Sequence, residues 1–577
     1  MGSLTCREHI ADAPVAHLLP KTFLWLFPDS TVRTGVSRTR LWWWGESPGG
    51  VVRGYLFGFA MTTQNIATLP QPDTLRYTWV TGNDTTILFP LDTLFRKFLV
   101  VVRAVDNQFA GLPERSSVRM KPFPFWDVNE NGAFDGPDQQ LGMLESAADP
   151  AGAVQVFPIR NTPPTVAFLP NPNDPSTAQR LPDTSYTAIT VAFKGADDDG
   201  DNTLASYRIA LNDTGAAGQW LTLSLRDTMV TLVVPRARSD AAGSTVTADV
   251  YSGAFLGRRL IGQLPNLKLP GPGEVAAENV IFVEARDVAG EYSAPIQLPS
   301  GTDRWCVKRP AAKLLLVIDY TRADAPAALS TYRTSLASVA GGTFTSVDPL
   351  DITLGLSPTE KEEGKLGRRV PQFVDPALVQ TFLLYDYVVW YSDLVPALAV
   401  AQQSVFSYLQ NGGRVVFSTM FLNTTDPRGA LRDFAPIDSV SSVNLSGVYP
   451  LPAVGDTRIP PDYLLVPDSS SPAQIFPQLA FNSLPPGNFH SVFMRPVYRR
   501  SDARYLYRLQ PDTRTPQRYI GTPAIAVVDG QNSIIFVGLP LHLMNNTVQG
   551  NPRGLTAFLE KAVTQFSPIQ RVNRRRF

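Results

Sequence analysis

Two unbroken apolar runs, KLLLVIDY from Lys313 and YDYVVWY from Tyr385, constrain the fold most. A strand that is apolar on both sides must be covered on both sides, which is the situation of a parallel sheet between helices. The intervening sequence has the matching texture. ALSTYRTSLASVA reads as a helix after the first run, TFTSV as a short strand, and AVAQQSVFSYLQ as a helix after the second, stopped by Asn411-Gly412-Gly413 ahead of the strand RVVFSTM. SIIFVGLPLHL and GLTAFLEKAVTQF add a last strand and a closing helix. This alternation predicts an α/β domain with a doubly wound parallel sheet over residues 309–577.

The rest of the chain reads differently. At 577 residues the chain is too long for one core, and its 50 prolines and 41 glycines favour short strands joined by turns. A diverged repeat is visible. Trp43-Trp44-Gly45-Glu46-Ser47-Pro48-Gly49-Gly50 leads into VVRGYLFGF, and Phe193-Lys194-Gly195-Ala196-Asp197-Asp198-Asp199-Gly200 leads into DNTLASYRIAL, with Tyr55 and Tyr207 at matching places. Each copy closes on an alternating strand and a turn, FLVVVRAVDNQFAG from Phe98 and VIFVEARDVAGEYS from Val280. Asn161-Thr162-Pro163-Pro164 between them reads as a stiff linker.

These motifs resemble fibronectin type III or immunoglobulin-like modules of bacterial surface proteins. The resemblance implies two β-sandwich domains, 25–122 and 163–308, after an N-terminal segment 1–24. Asp197, Asp198, Asp199 and Asp201 place four carboxylates in five residues, which repel unless solvated or bound to a cation. Of Trp42, Trp43 and Trp44, alternation turns the middle ring away from its neighbours, so at least one belongs to a core and the others are candidates for a sugar-stacking surface.

Between the two copies, in a connector at 123–162, lies DVNENGAFDGPD. Asp127, Asn129 and Asn131 occupy positions one, three and five of a calcium loop; Gly132 permits the turn at six, Ala133 offers a carbonyl at seven, Asp135 stands at nine and Asp138 at twelve. Hard oxygen donors in this pattern suit calcium, whereas zinc would want Cys and His. The proline-broken KPFPFW excludes an incoming helix, while the residues from Pro137 onward predict an outgoing one. The loop resembles the half EF-hand of dockerin-like modules, and its implied role is structural.

The order of elements after 309 resembles the class I glutamine amidotransferase-like, flavodoxin-like fold. That resemblance lays RVVFSTM on the nucleophile strand, with Thr419 or Ser418 where the family has cysteine, and FVGLPLH on the strand that delivers the histidine, at His542. The match is broken: the nucleophile cysteine and the small residues of its strained turn are absent, since Phe417, Met420 and Phe421 are bulky. Asp319 and Asp393 end their strands at the carboxyl edge, where such sheets bind ligands.

Charge and cysteine content narrow the role further. The 51 basic and 51 acidic residues cancel, which excludes nucleic acid as a main partner. No run is long and apolar enough for a membrane-spanning helix. Two cysteines, Cys6 and Cys306, exclude a disulfide framework; Cys6 is either the acylated residue of a lipoprotein or an ordinary thiol. The sequence therefore predicts a bacterial protein, secreted or attached to the cell surface, with calcium as its cofactor. Its predicted role is the non-catalytic binding or scaffolding of other surface proteins or glycans. The rival expectation is an extracytoplasmic hydrolase of a glycan or peptide, using His542 with Thr419 or Ser418.

Overall fold

The computed structural model describes residues 18–25, 38–62, 75–90, 96–159, 161–171, 176–215, 219–253, 259–339, 346–421, 430–443, 445, 464–470, 475–482, 492–511, 519–546 and 554–565. The protein is multidomain and mostly β-sheet, with thirty-three strands and eight α-helices among the described residues. It divides into two compact units. One comprises Met1–Val166, Gly195–Tyr207 and Glu284–Ala294; the other comprises Ala167–Lys194, Arg208–Val283 and Pro295–Phe577.

In the first unit a three-stranded sheet (Lys21–Trp25, Arg38–Glu46, Asp84–Leu88) faces a seven-stranded sheet centred on Arg96–Asp106, Val52–Thr62 and Arg76–Val80. Leu41, Trp43, Tyr55, Phe57, Val100 and Val102 fill the space between them. The long strand FLVVVRAVD is buried along its whole length, because its second face is also covered, by Leu141, Leu144 and Ala147. The residues read as a connector thus take part in this sheet: Phe125–Trp126 and Gln139–Gln140 extend one edge, and Ala153–Ile159 pairs with Arg96–Asp106 at the other. The outgoing helix predicted from Pro137 is not formed there. Gln139–Gln140 pairs back onto Phe125–Trp126, and the helix is confined to Leu144–Ala147.

Both copies of the repeat build the same corner. A Cβ on Gly195 would stand 2.8 Å from the Tyr207 ring, and one on Gly45 would meet Ala104 at 2.6 Å and Tyr55 at 3.3 Å. Only glycine lets the tyrosine lie across the strand. The Tyr207 hydroxyl accepts the Gly195 amide at 3.0 Å, so the ring also satisfies a buried backbone donor.

Strands Ala188–Ala196, Met229–Val233, Thr245–Ser252 and Arg259–Lys268, which belong to the second unit apart from Gly195 and Ala196, are antiparallel neighbours in a five-stranded sheet. The C-terminal sheet has nine strands. Asp348–Asp351, Leu314–Asp319, Tyr387–Ser392, Val415–Ser418 and Ile534–Val537 are parallel and adjacent in that order. Leu316 and Ile318 point to a face covered by Tyr332, Leu336, Leu555 and Phe558, and Leu315 and Val317 to a face covered by Leu378, Phe382, Val405 and Tyr408. Helices on both faces account for the unbroken apolar runs. The other half departs from the parallel expectation: Ala524–Asp529, Ala503–Leu509, Leu464–Pro467 and Leu479–Ala480 are antiparallel. Asp529-Gly530-Gln531-Asn532 closes a tight hairpin here, and a hairpin needs no crossover helix.

The helix Leu398–Gln410 ends as its sequence requires. Gly413 N–H donates to Tyr408 O and Gly412 N–H to Leu409 O, both at 2.9 Å, with Gly412 at φ +85. Gly413 is constrained by packing as well, since a Cβ there would stand 2.3 Å from the buried Tyr408 ring. Gly413→Ala should therefore destabilise the second unit by about 1–3 kcal/mol in urea titration, the cost of overpacking. Unchanged stability would show that Tyr408 has room to retreat.

Candidate functional site

The calcium-type loop is the turn of the hairpin Phe125–Trp126/Gln139–Gln140. Its side chains already point inward. The amides of Asn129 and Asn131 donate to Asp135 Oδ2 at 2.7 and 2.6 Å, and Asp127 Oδ2 accepts Gly132 N–H at 3.1 Å. Oδ1 of Asp127 and Oδ1 of Asp135 are buried without a hydrogen-bond partner. Two orphaned carboxylate oxygens in a loop with amide oxygens and a carbonyl at hand fit a hard cation. Two features distinguish the loop from an EF-hand. Both oxygens of Asp138 accept backbone amides, Val128 at 2.9 Å and Asp135 at 3.0 Å, which makes Asp138 a brace for the turn. Arg119 Nε donates to Asp127 Oδ2 at 2.8 Å and supplies a competing positive charge. Burial pushes the Asp127 carboxyl up, but the Arg119 hydrogen bond and charge, with the Gly132 amide, outweigh it and hold it below its ordinary value.

The acidic turn of the second copy is rearranged relative to its sequence. Asp198 and Asp201 face solvent, while Asp197 and Asp199 are buried together with Asp287 from the final strand. Asp199 Oδ2 accepts the Thr162 amide at 2.8 Å and Asp287 Oδ2 accepts from Asn161 Nδ2 at 2.6 Å, so the turn anchors the 161–164 linker. Burial, then the charges of Asp199 and Asp287, push Asp197 up. In the first copy the matching corner holds Ser47, whose hydroxyl donates to Asp106 at 3.3 Å. Among the described residues no three His, Cys, Asp or Glu side chains stand together in a way that could hold a metal ion.

At the carboxyl edge of the parallel strands the structure separates the three residues of the hydrolase expectation. Ser418 and Thr419 are fully buried. Ser418 Oγ donates to Leu539 O at 2.7 Å and accepts Leu541 N–H at 3.2 Å; Thr419 Oγ1 donates to Asp393 O and Met420 O, each at 3.1 Å. His542, on the 3-10 turn Leu541–Leu543, hydrogen-bonds neither hydroxyl. Its Nε2 lies 3.3 Å from Asp324 Oδ2, with the ring edge-on to Tyr320. The hydrogen bond from His542 holds Asp324 below its ordinary value.

Asp319 and Asp393, the two edge carboxylates expected from the sequence, do converge here, on a lysine that sequence reading missed. Lys361, on the helix Pro358–Glu362, is buried, with Nζ 2.9 Å from Asp319 Oδ1 and 2.7 Å from Asp393 Oδ1. Asp319 Oδ2 accepts Trp390 Nε1–H at 3.2 Å and Ala397 N–H at 2.8 Å, and Asp393 Oδ2 accepts Thr321 N–H at 2.8 Å. Burial drives the Asp319 carboxyl up in spite of the lysine. Within PTEKEE, Lys361 reads as one more charge on a solvated face. The only local hint is the capping box of Ser357 and Glu360, which fixes the helix start and so the direction of the lysine.

The tryptophans divide as alternation requires: Trp43 is 1% exposed, Trp42 37% and Trp44 45%. Trp44 stacks on Phe23 at 5.1 Å, and Trp42 lies between Trp25 and the Arg40 guanidinium. Cys306 is a free thiol in Cys306–Val307, and Cys6 lies outside the described residues.

No family model matches the chain, and no curated protein sequence matches it. Among solved structures it is similar to the fibronectin(III)-like modules of Clostridium thermocellum CbhA, at 12% identity over 50% of this chain and 93% of that one, with a TM-score of 0.12. It is similar to the FN1–FN3 domains of chicken CNTN1 at 9% identity, over 51% and 68% of the two chains, with a TM-score of 0.16. The D00–D0 domain of Intimin gives 9% identity over 48% and 98%, with a TM-score of 0.13. Scores this low leave the strand order, register and burial described above to stand for the fold on their own.

Proposed function

We propose that this chain is a non-catalytic, extracytoplasmic binding or scaffolding protein. In this reading the β-sandwich modules are of fibronectin type III or Ig-like type, and the C-terminal half is a flavodoxin-like, amidotransferase-like domain that has lost its chemistry. The observation that carries the reading is the state of the carboxyl edge. Ser418 and Thr419 are buried and donate to backbone carbonyls, His542 turns to Asp324, and Lys361 with its two carboxylates fills the place where such sheets hold ligands. A hydrolase needs a nucleophile within reach of both base and substrate, and neither condition is supported here.

Calcium held by Asp127, Asn129, Asn131, Ala133 and Asp135 would act structurally, tightening the turn that leads to Leu141 and Leu144 over the second face of the sheet. The partners we infer are other surface proteins or glycans. A cleft of about 850 Å³ in the second unit, lined by Arg180, Asp303, Arg304 and Arg368 among others, offers charged and polar groups suited to either. No helix among the described residues is long and apolar enough to cross a membrane.

The reading is tested by activity. The purified chain should not turn over ester, amide or glycoside substrates above the blank, and His542→Ala should leave its binding to surface partners unchanged. Turnover that falls about a hundredfold or more in His542→Ala, with circular dichroism preserved, would establish the hydrolase instead.

A further inference from the structure

The buried Lys361 cluster holds more reactive geometry than an ion pair needs. We propose that Lys361 and Asp319 condense to an intramolecular isopeptide bond, with Asp393 as the proton-transfer group, cross-linking the helix Pro358–Glu362 to the end of the strand Leu314–Asp319.

The parts needed for amide formation are in place. The nucleophile is the Lys361 Nζ, and it stands within 3 Å of an oxygen on each carboxylate, 2.9 Å for Asp319 Oδ1 and 2.7 Å for Asp393 Oδ1. All three side chains are buried, Asp319 completely, so the amine is stripped of the water that would otherwise hold its proton and occupy its lone pair. The two oxygens of Asp319 are not equivalent. Oδ2 accepts two N–H donors, from Trp390 Nε1 and Ala397 N, the arrangement that stabilises negative charge developing on a tetrahedral carbon. Oδ1, on the side of the amine, has no hydrogen-bond donor aligned on it. Burial pushes the Asp319 carboxyl up, toward the neutral acid that loses water more readily than a carboxylate.

The step balances within the cluster. Asp393 Oδ1 takes a proton from Nζ, and the neutral amine attacks Asp319 Cγ. The new C–N bond forms as the C–Oδ2 double bond opens into the two-donor pocket. Asp393 returns that proton to Oδ1 and then carries a second proton from the attacking nitrogen to the same oxygen, so that the C–Oδ1 bond breaks with one water leaving, Nζ keeps the single amide hydrogen and Asp393 ends as the carboxylate. No oxidant or external reactant is required. Condensation removes one buried cation and one buried anion together, and the amide N–H keeps a donor for Asp393. Holding amine and carboxyl in contact is what makes an otherwise slow condensation feasible, since effective molarities for positioned groups reach roughly 10⁵–10⁸ M.

The test is the intact mass of the full-length chain after denaturation. The expected mass is lower than that of the sequence by one water, and proteolysis should yield a branched peptide joining the segments around 319 and 361. Lys361→Met and Asp319→Ala should each restore the full sequence mass, and Asp393→Asn should do so or slow the change while keeping the fold. A wild-type chain at full mass, with a linear peptide containing unmodified Lys361, overturns the proposal whatever the variants do.

Discussion

Lys361→Met should cost the second unit about 3–5 kcal/mol, because it removes the link to Asp319 and leaves the Asp319 and Asp393 carboxylates buried with no lysine nitrogen beside them. The hydrogen bonds from Trp390, Ala397 and Thr321 remain, but N–H dipoles alone do not repay the burial of two negative charges. Urea denaturation followed by far-UV circular dichroism measures the loss. The double variant Lys361→Met/Asp393→Asn should recover part of it, since one of the two charges is gone. The pH dependence has a definite sign. Burial already holds the Asp319 carboxyl above its ordinary value, and removing the lysine takes away the charge that opposes this, so protonation of Asp319 favours folding. The penalty should therefore shrink in acid and grow as pH rises through the folded value. A loss below about 1 kcal/mol at neutral pH would place the cluster among weak, solvated ion pairs.

Calcium should raise the stability of the first unit by about 2.7 kcal/mol at a hundredfold excess over its dissociation constant, which for extracellular loops is on the order of 0.1–1 mM. The gain is expected because the cation would meet the orphaned oxygens of Asp127 and Asp135. Asp135→Ala should abolish the increment, while Asp138→Ala should lower stability with and without calcium, as a brace does. Thermal melts in calcium and in chelator at equal ionic strength decide it, and identical melts would leave Arg119 as the counter-ion of Asp127. The Arg119–Asp127 pair adds its own pH dependence. The folded Asp127 value is depressed, so its contribution is complete above the ordinary carboxylate value of about 3.9 and is lost as pH falls through the lower folded value.

Some of this architecture is legible without coordinates. KLLLVIDY and YDYVVWY need cover on two faces, and Asn411-Gly412-Gly413 can end a helix only by a positive-φ turn, so these elements follow from local chemistry. The repeated glycine and tyrosine of the sandwich corners belong to the same class, because only a residue without Cβ admits the ring. Tertiary structure decided the rest. FLVVVRAVD is buried on both faces because Leu141, Leu144 and Ala147 return across the sheet, a long-range event with no local signature. The antiparallel half of the C-terminal sheet depended on which edge accepted the Asp529-Gly530-Gln531-Asn532 hairpin. Ser418, Thr419 and His542 lie close to the edge where a family pattern places them, yet their hydroxyls and imidazole face other partners, since side-chain direction is set by packing around them. Lys361 meets Asp319 and Asp393 across forty-two and thirty-two residues of chain. Sequence records the charge of each, but only the fold removes the water between them, and that desolvation is what turns three ordinary side chains into a reactive cluster.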